Sequence, residues 1–197
     1  AQAYLKYEEL FLFMLKMNSL KRNKKNKIGL KRDVDKSLVM EEPIVETNNQ
    51  KVLSIAIPSY NSEAYMANCI ESLLIGGDDV EILIVNDGSK DGTAQIADAY
   101  AAKYPNIIRA VHQENGGHGE AVNAGLRNAT GRYFKVVDSD DWVDPKAYKE
   151  ILALLKQMIA QETQLDMLIS NFIYDKQGVT YKKVMHYRSV LPKNQIF

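Results

Sequence analysis

From Val52 onward the chain repeats one pattern four times: a short apolar run rich in Val and Ile, a cluster of polar turn formers, then a stretch with helical spacing. The runs are VLSIAI from Val52 to Ile57, stopped by Pro58; VEILIV from Val80 to Val85, stopped by NDGS; IIRAV from Ile107 to Val111; and YFKVV from Tyr133 to Val137, which leads into DSDD. Runs of this length and β-branched content, bounded by turn residues, predict buried strands. Between the first two, SEAYMANCIESLL predicts a helix with Asn61 or Ser62 as its N-cap. DGTAQIADAYAAKY predicts a second, opened by Asp91 or Gly92 and halted by Pro105; the second half of HQENGGHGEAVNAGLRNATG predicts a third, ending before Gly131. Pro145 starts a fourth, to about Gln161, and LDMLIS from Leu165 to Ser170 predicts a fifth strand. Strands and helices alternating through short connections imply an α/β fold whose largely parallel sheet is covered on both faces.

In such sheets ligands bind beyond the carboxyl ends of the strands. Those ends carry Pro58-Ser59-Tyr60-Asn61, Asn86-Asp87-Gly88-Ser89, His112 to Gly119, and Asp138 to Asp141, so four polar clusters are expected on one edge. The last is the most unusual, because FKVVDSDDWVD sets four carboxylates within seven residues at the end of an apolar run. Crowded carboxylates repel one another, and burial adds to the cost of ionising them. In extended backbone Asp138 and Asp140 point to one side and Ser139 to the other. Two such carboxylates suit Mg²⁺ or Mn²⁺, a dication that cancels the repulsion and completes its shell with water and substrate phosphates. The other reading is a capping cluster. Asp144 before Pro145 fits it as an N-cap, whereas Asp138 and Asp140 lie too far upstream to cap that helix. Asp141 stays open between supporting the pair and shaping the loop, and Trp142 reads as a packing residue. On the nucleotide side, Tyr60 offers a stacking face and Asp87 can accept hydrogen bonds from a base or ribose.

Composition narrows the function classes. Among 197 residues, 25 Lys and Arg balance 25 Asp and Glu, so no global field points to nucleic acid, and no nucleic-acid partner is expected. The one cysteine, Cys69, excludes an internal disulfide framework and reads as a buried core residue of a reducing compartment. No apolar run reaches the roughly 18 residues of a membrane span. Residues 1–50 differ from the rest: a short amphipathic helix is predicted from about Tyr4 to Met17. Eight Lys and Arg follow between Lys16 and Arg32 with no acid among them. That segment reads either as a basic patch making peripheral contact with an anionic membrane, or as a mobile extension or a helix packed on a partner.

Three stretches, SIAIPSYNSEAYMANCIESLL, EILIVNDGSKDGTAQIADAYA and NGGHGEAVNAGLRNATGRYFKVVDSDDWVD, in this order and spacing, resemble the family-2 glycosyltransferases. The resemblance is strong from Val52 to Asp144 and looser beyond. It implies the GT-A fold, a Rossmann-like α/β/α sandwich. It also implies an inverting enzyme that moves a sugar from a nucleotide-diphosphate sugar, a UDP-sugar first among them, to a hydroxyl of a saccharide or lipid-linked acceptor. Carried over position by position, Pro58 and Tyr60 line the base, Asp87 hydrogen-bonds it, and Asn61 counts among the donor-binding residues. Gly117, His118, Gly119 and Asn123 approach the donor's ribose and sugar, Asp138 and Asp140 are the ends of a D-x-D motif, and Ser139 between them counts with Asp138 among the donor-binding residues. Asp140 is then the metal ligand with Asp138 beside it, for Mn²⁺ or Mg²⁺. A cytoplasmic location, at the inner face of the membrane, and a role in cell-surface polysaccharide synthesis go with the resemblance. On this reading 1–50 is an extension and 51–197 a catalytic domain cut short at its C-terminus.

The general base is not evident. After Asp144 the carboxylates are Glu150, Glu162, Asp166 and Asp175, none in a convincing position, and the base is expected beyond Phe197. A non-catalytic nucleotide-sugar-binding fragment is therefore one alternative. A sugar nucleotidyltransferase is another, although IPSYNSEAY lacks the glycine-rich basic loop it requires. A carboxylate-pair glycosidase is weaker still, since its two acids flank a cleft. A Rossmann dehydrogenase is opposed by GGHGEAV, which lacks the third glycine of G-x-G-x-x-G.

Overall fold

A computed structural model of the chain describes residues 5–9, 50–163, 167–176 and 183–185. The four predicted runs are strands: β2 (Leu53–Ser59), β3 (Val80–Asp87), β4 (Ile108–Gln113) and β5 (Tyr133–Val136), numbered after β1 (Leu5–Glu9). They form one sheet in the order β4-β3-β2-β5, all parallel. The connections carry α1 (Met66–Leu73) with a 3-10 turn at Leu74–Asp79, α2 (Thr93–Lys103) and α3 (His118–Asn128), and α4 (Pro145–Ala160) follows β5.

Strand alternation divides the core between the two faces. Leu53, Ile55 and Ile57 of β2 and Ile82 and Ile84 of β3 pack with Met66, Cys69, Ile70 and Leu73 of α1, Ala97 of α2, and Tyr148, Leu152 and Leu155 of α4. On the other face Val85 meets Ala121 and Ala124 of α3, beside a second cluster of Ala56, Leu83, Ala129 and Phe134. That three-layer α/β/α arrangement is the expected one. Each buried Ile or Leu contributes roughly 1.5–3 kcal/mol, so β2 and β3, buried almost throughout, dominate the stability of the sheet.

Connections run from β2 outward to β3 and β4, then return across β2 to β5. The sheet therefore changes direction between β2 and β5, where α/β folds open a crevice. The register sharpens this point. β5 pairs with β2 only from Leu53↔Tyr133 to Ala56↔Val136, and Val137 donates its amide to the Ala56 carbonyl. The next rung would start from the amide of residue 58, but proline has none, so β5 departs while β2 continues to Ser59 beside β3.

Four local expectations differ from the structure. Helix α1 begins at Met66 with Tyr65 as an N-cap that makes no side-chain bond, one turn later than Asn61 or Ser62. Both of those side chains are engaged by distant loops, as described below. Asp138 to Asp141 is not extended: the Asp141 amide donates to the Asp138 carbonyl at 3.0 Å, closing a turn. The strand expected within Leu165–Ser170 is irregular over 167–170. The strand there is β6 (Phe172–Lys176), which lies between β1 and β7 (Lys183–Met185) in a separate antiparallel sheet. Leu5–Glu9, expected within a helix, is strand β1, whose backbone bonds are supplied by β6. Short helices are marginal on their own, and a partner edge outweighs them. The rest of that predicted helix and the basic stretch from Lys16 to Arg32 lie outside the described residues. Pro145–Ala160 agrees, with Asp144 Oδ1 accepting the Ala147 amide at 2.8 Å as its N-cap bond.

Candidate functional site

The carboxyl edge of the parallel sheet is built from loops that hydrogen-bond to one another across 26 to 77 residues of sequence. Asp87, the last residue of β3, lies at its centre and is 2% exposed. Its Oδ1 accepts from Gln113 Nε2 at 2.7 Å and from the Gly116 amide at 2.8 Å, and its Oδ2 accepts from the Gly117 amide at 2.8 Å. Asn115 Nδ2 donates to the Asp87 carbonyl at 3.0 Å. Burial pushes the Asp87 carboxyl up, but the donations from Gly116, Gln113 and Gly117 outweigh it and hold the group below its ordinary value. A carboxylate accepts about four hydrogen bonds, so three donors leave one acceptor direction, on Oδ2.

Two glycines make this clamp possible. Gly88 has φ +68°, and a Cβ there would stand 2.7 Å from the Asn115 amide nitrogen. Gly117 turns the chain into α3 with φ +83°, which brings its amide onto Asp87.

The loop after β2 is tied to the loop after β3. Asn61, with φ 50°, donates its amide to Ser89 Oγ at 3.0 Å, while its Oδ1 accepts the Lys90 amide at 2.9 Å. Asparagine tolerates this left-handed conformation better than most residues. Ser62 donates its amide to Thr93 Oγ1 at 2.7 Å. Pro58 is buried in β2 opposite Val85, and Tyr60, 48% exposed, is free to offer its ring.

The acidic turn stands across the crevice. Asp138 is exposed, Asp140 half-buried, and Ser139 and Asp141 buried. Burial raises the Asp140 carboxyl, its own backbone amide opposes, and the charge of Asp138 raises it further. The repulsion anticipated for the cluster is thus present at Asp140, although burial is the larger cause. Ser139 faces inward, its Oγ 2.9 Å from Ser62 Oγ. From α1, Cys69 donates its thiol to the Asp138 carbonyl at 3.5 Å, and Ser72 Oγ accepts the Val143 amide at 3.2 Å. Burial, then the charges of Asp141, Asp140 and Asp138, push the Cys69 thiol far up, so it stays neutral.

His118 opens α3 and its Nε2 lies 3.9 Å from Asp138 Oδ1, both side chains more than half exposed. This contact bridges the Asp87 side and the acidic side. Gly119 follows in open space, and Asn123, exposed one turn on, donates to Glu120 Oε2 at 3.3 Å. Among the described residues no group of three or more His, Cys, Asp or Glu is arranged to hold a metal alone. A donor set of Asp138 and Asp140 instead fits the magnesium-type site that takes one or two carboxylates and borrows the rest from phosphate and water.

Sequence reasoning took Ser62 only as a helix cap and Gln113 only as part of the His112 to Gly119 cluster, and gave neither a place at the site. Gln113 is the register partner of Asp87 at the end of a parallel pair, a relation that exists only once β3 and β4 are aligned. No local signal marks Ser62, since its partners lie 31 and 77 residues away.

The model of the family described as Glycosyl transferase family 2 matches residues 54–186. EpsH of Bacillus subtilis (strain 168), named as a glycosyltransferase, is 39% identical over 121 residues, which cover 61% of this chain and 33% of EpsH. GgaB of the same organism, a minor teichoic acid biosynthesis protein, is 39% identical over 102 residues, 50% of this chain and 11% of GgaB. The chain thus spans a third or less of the length of these two relatives. Among solved structures, S. aureus TarS 1-349 in complex with UDP-GlcNAc aligns with a TM-score of 0.48 at 30% identity, over 55% of this chain and 32% of that one.

Proposed function

The chain belongs to glycosyl transferase family 2, and we propose that it carries the donor side of an inverting transferase that moves a sugar from a UDP-sugar to a hydroxyl with the help of Mn²⁺ or Mg²⁺. The observation that carries this reading is the meeting, at one crevice, of a clamped Asp87 with the Asp138–Asp140 turn. Asp87 has room for one more donor. Uracil presents a single imide N–H, whereas guanine presents two adjacent donors that call for both carboxylate oxygens. A guanine would leave one donor unpaired, at a cost of about 1–3 kcal/mol. Tyr60 is placed to stack on the base, with Pro58 as the floor beside it and Asn61 holding the loop in position. The diphosphate then extends toward the first turn of α3, whose free amides at His118 and Gly119 favour negative charge. His118 and Asn123 flank the sugar.

Asp140, with Asp138 beside it, would hold the cation, and when bound the cation supplies the positive charge that a departing diphosphate needs. Asp138 also accepts a ribose or sugar hydroxyl from its exposed position. Inversion requires a carboxylate that takes the acceptor's proton. Glu150 is an exposed residue of α4, Glu162 follows the end of that helix, Asp175 belongs to β6 in the separate antiparallel sheet, and Asp166 lies outside the described residues, so we assign the proton acceptor to none of them.

The name of GgaB supports a cell-envelope polymer as the acceptor class. Among the described residues no helix is long and apolar enough to cross a membrane. The basic segment from Lys16 to Arg32 is proposed to touch anionic lipid at the inner face of the membrane. Co-sedimentation with anionic vesicles, with and without residues 1–40, tests it, and equal binding would refute it.

The donor reading is tested by thermal shift. UDP with Mn²⁺ should raise the melting temperature more than GDP with Mn²⁺, and Asp140→Ala should remove the Mn²⁺-dependent part. An equal response to GDP would reject the uracil assignment, and an unchanged response in the variant would reject the metal assignment.

A further inference from the structure

Two halves of the donor crevice are joined by one buried side-chain bond. Ser62 is 1% exposed and Ser139 is 7% exposed, and their hydroxyls lie 2.9 Å apart. On one side Ser62 belongs to the nucleoside loops: its amide donates to Thr93 Oγ1, its neighbour Asn61 holds Ser89 and Lys90, and its other neighbour Glu63 donates its amide to Asp91 Oδ2. On the other side Ser139 sits between Asp138 and Asp140, at the head of the turn. The strands do not join these parts, because β2–β5 pairing ends at Ala56 and Val136, ahead of both serines.

We infer that Ser62 and Ser139 are positioning residues whose hydroxyl pair sets the acidic turn at a fixed height relative to the nucleoside loops, coupling the base subsite to the diphosphate–cation subsite. This rests on the donor reading above. Both hydroxyls are buried and face each other. Each has turned inward, and removing either leaves the other buried without its partner, so the turn is free to settle elsewhere. Cys69 and Ser72 hold the same turn from α1, whose first amide, that of Met66, donates to the Ser62 carbonyl; they support the turn through the helix, whereas the hydroxyl pair links it to Ser62 directly.

Ser62→Ala, Ser139→Ala and the double variant test this on the full chain by two thermal-shift titrations. One is uridine in EDTA; the other is Mn²⁺ at fixed UDP. The expected result is that each single variant raises the half-saturating Mn²⁺ concentration about fivefold or more, while uridine binding stays within about twofold. The double variant should be no worse than either single one, because the same bond is lost in all three and only the single variants keep an orphaned hydroxyl. Single variants whose Mn²⁺ half-point matches the unaltered chain would overturn the inference. So would uridine and Mn²⁺–UDP weakened by the same factor, which marks general loosening. If the unaltered chain responds to neither titration, the donor reading itself falls, an outcome distinct from variants that behave like a responsive parent.

Discussion

Asp87 and Asp140 stand at the same edge of one sheet, and their surroundings push them in opposite directions. Asp87 ionises more easily folded than unfolded. Its contribution to stability is therefore present above the unfolded value, near 3.9, and is lost as pH falls through the lower folded value. The urea midpoint should drop between about pH 5 and pH 2, and Asp87→Asn should flatten that slope. The same variant should cost about 2–3 kcal/mol at pH 7, because the amides of Gly116 and Gly117 then face an amide group. Asp140 has the reverse sign: its stability contribution is present at low pH and is lost as pH rises through the raised folded value. Without metal at pH 7, Asp140→Asn should therefore melt slightly higher than the parent in EDTA, yet gain nothing from Mn²⁺. Residue types were legible in the sequence at this scale, since Asp87, Asp138 and Asp140 all stand out as acids after strands. Their environments were not, because Gln113 and the Gly116–Gly117 amides reach Asp87 only after β3 and β4 have paired in register.

At the scale of elements, α3 is the helix most tightly bound to the sheet. A Cβ on Gly125 would stand 2.4 Å from the Ala56 Cβ, so the helix lies on β2 with no room for a methyl. Gly125→Ala gains about 1 kcal/mol in helix propensity but must force α3 off β2. The expected net effect is a loss of about 1–2 kcal/mol in urea unfolding, partly restored by Ala56→Gly in the same chain. Strands β2 to β5 were plain in the sequence because Val and Ile runs ended by Pro58, Asp87-Gly88 or acids admit few other readings. Helix α1 was misplaced by a turn because its two natural caps serve other loops, Asn61 holding Lys90 and Ser62 facing Ser139. Local propensity is overruled where a polar side chain finds a buried partner far along the chain. The turn at Asp138 escaped notice for a similar reason, since nothing local shows that Pro58 ends the pairing of β5.

Among the described residues the chain forms two sheets of different character. The parallel sheet has its own core on both faces. The smaller antiparallel sheet joins β1, from the first residues of the chain, to β6 and β7. Deleting residues 1–10 should speed amide exchange in Phe172–Lys176, which loses β1 as its hydrogen-bonding partner, and leave β2–β5 unchanged; slowed exchange or equal change in both sheets would contradict this independence. Parallel architecture followed from the alternation of elements, but the side of β2 on which β5 lies did not, because periodicity shows which face is buried and never which neighbour is paired.

The return of β5 to the far side of β2 has a consequence in time. Eighty residues separate Leu53 from its partner Tyr133. A ribosome adding about 5–20 residues per second needs roughly 4–16 s to cover that stretch. During it β3 and β4 can join one flank of β2, while the other flank, Leu53 to Ala56, waits as a bare apolar edge. Such edges invite pairing with other chains. Pro58, with no amide to donate, ends that edge at its far end and so limits the run open to such pairing.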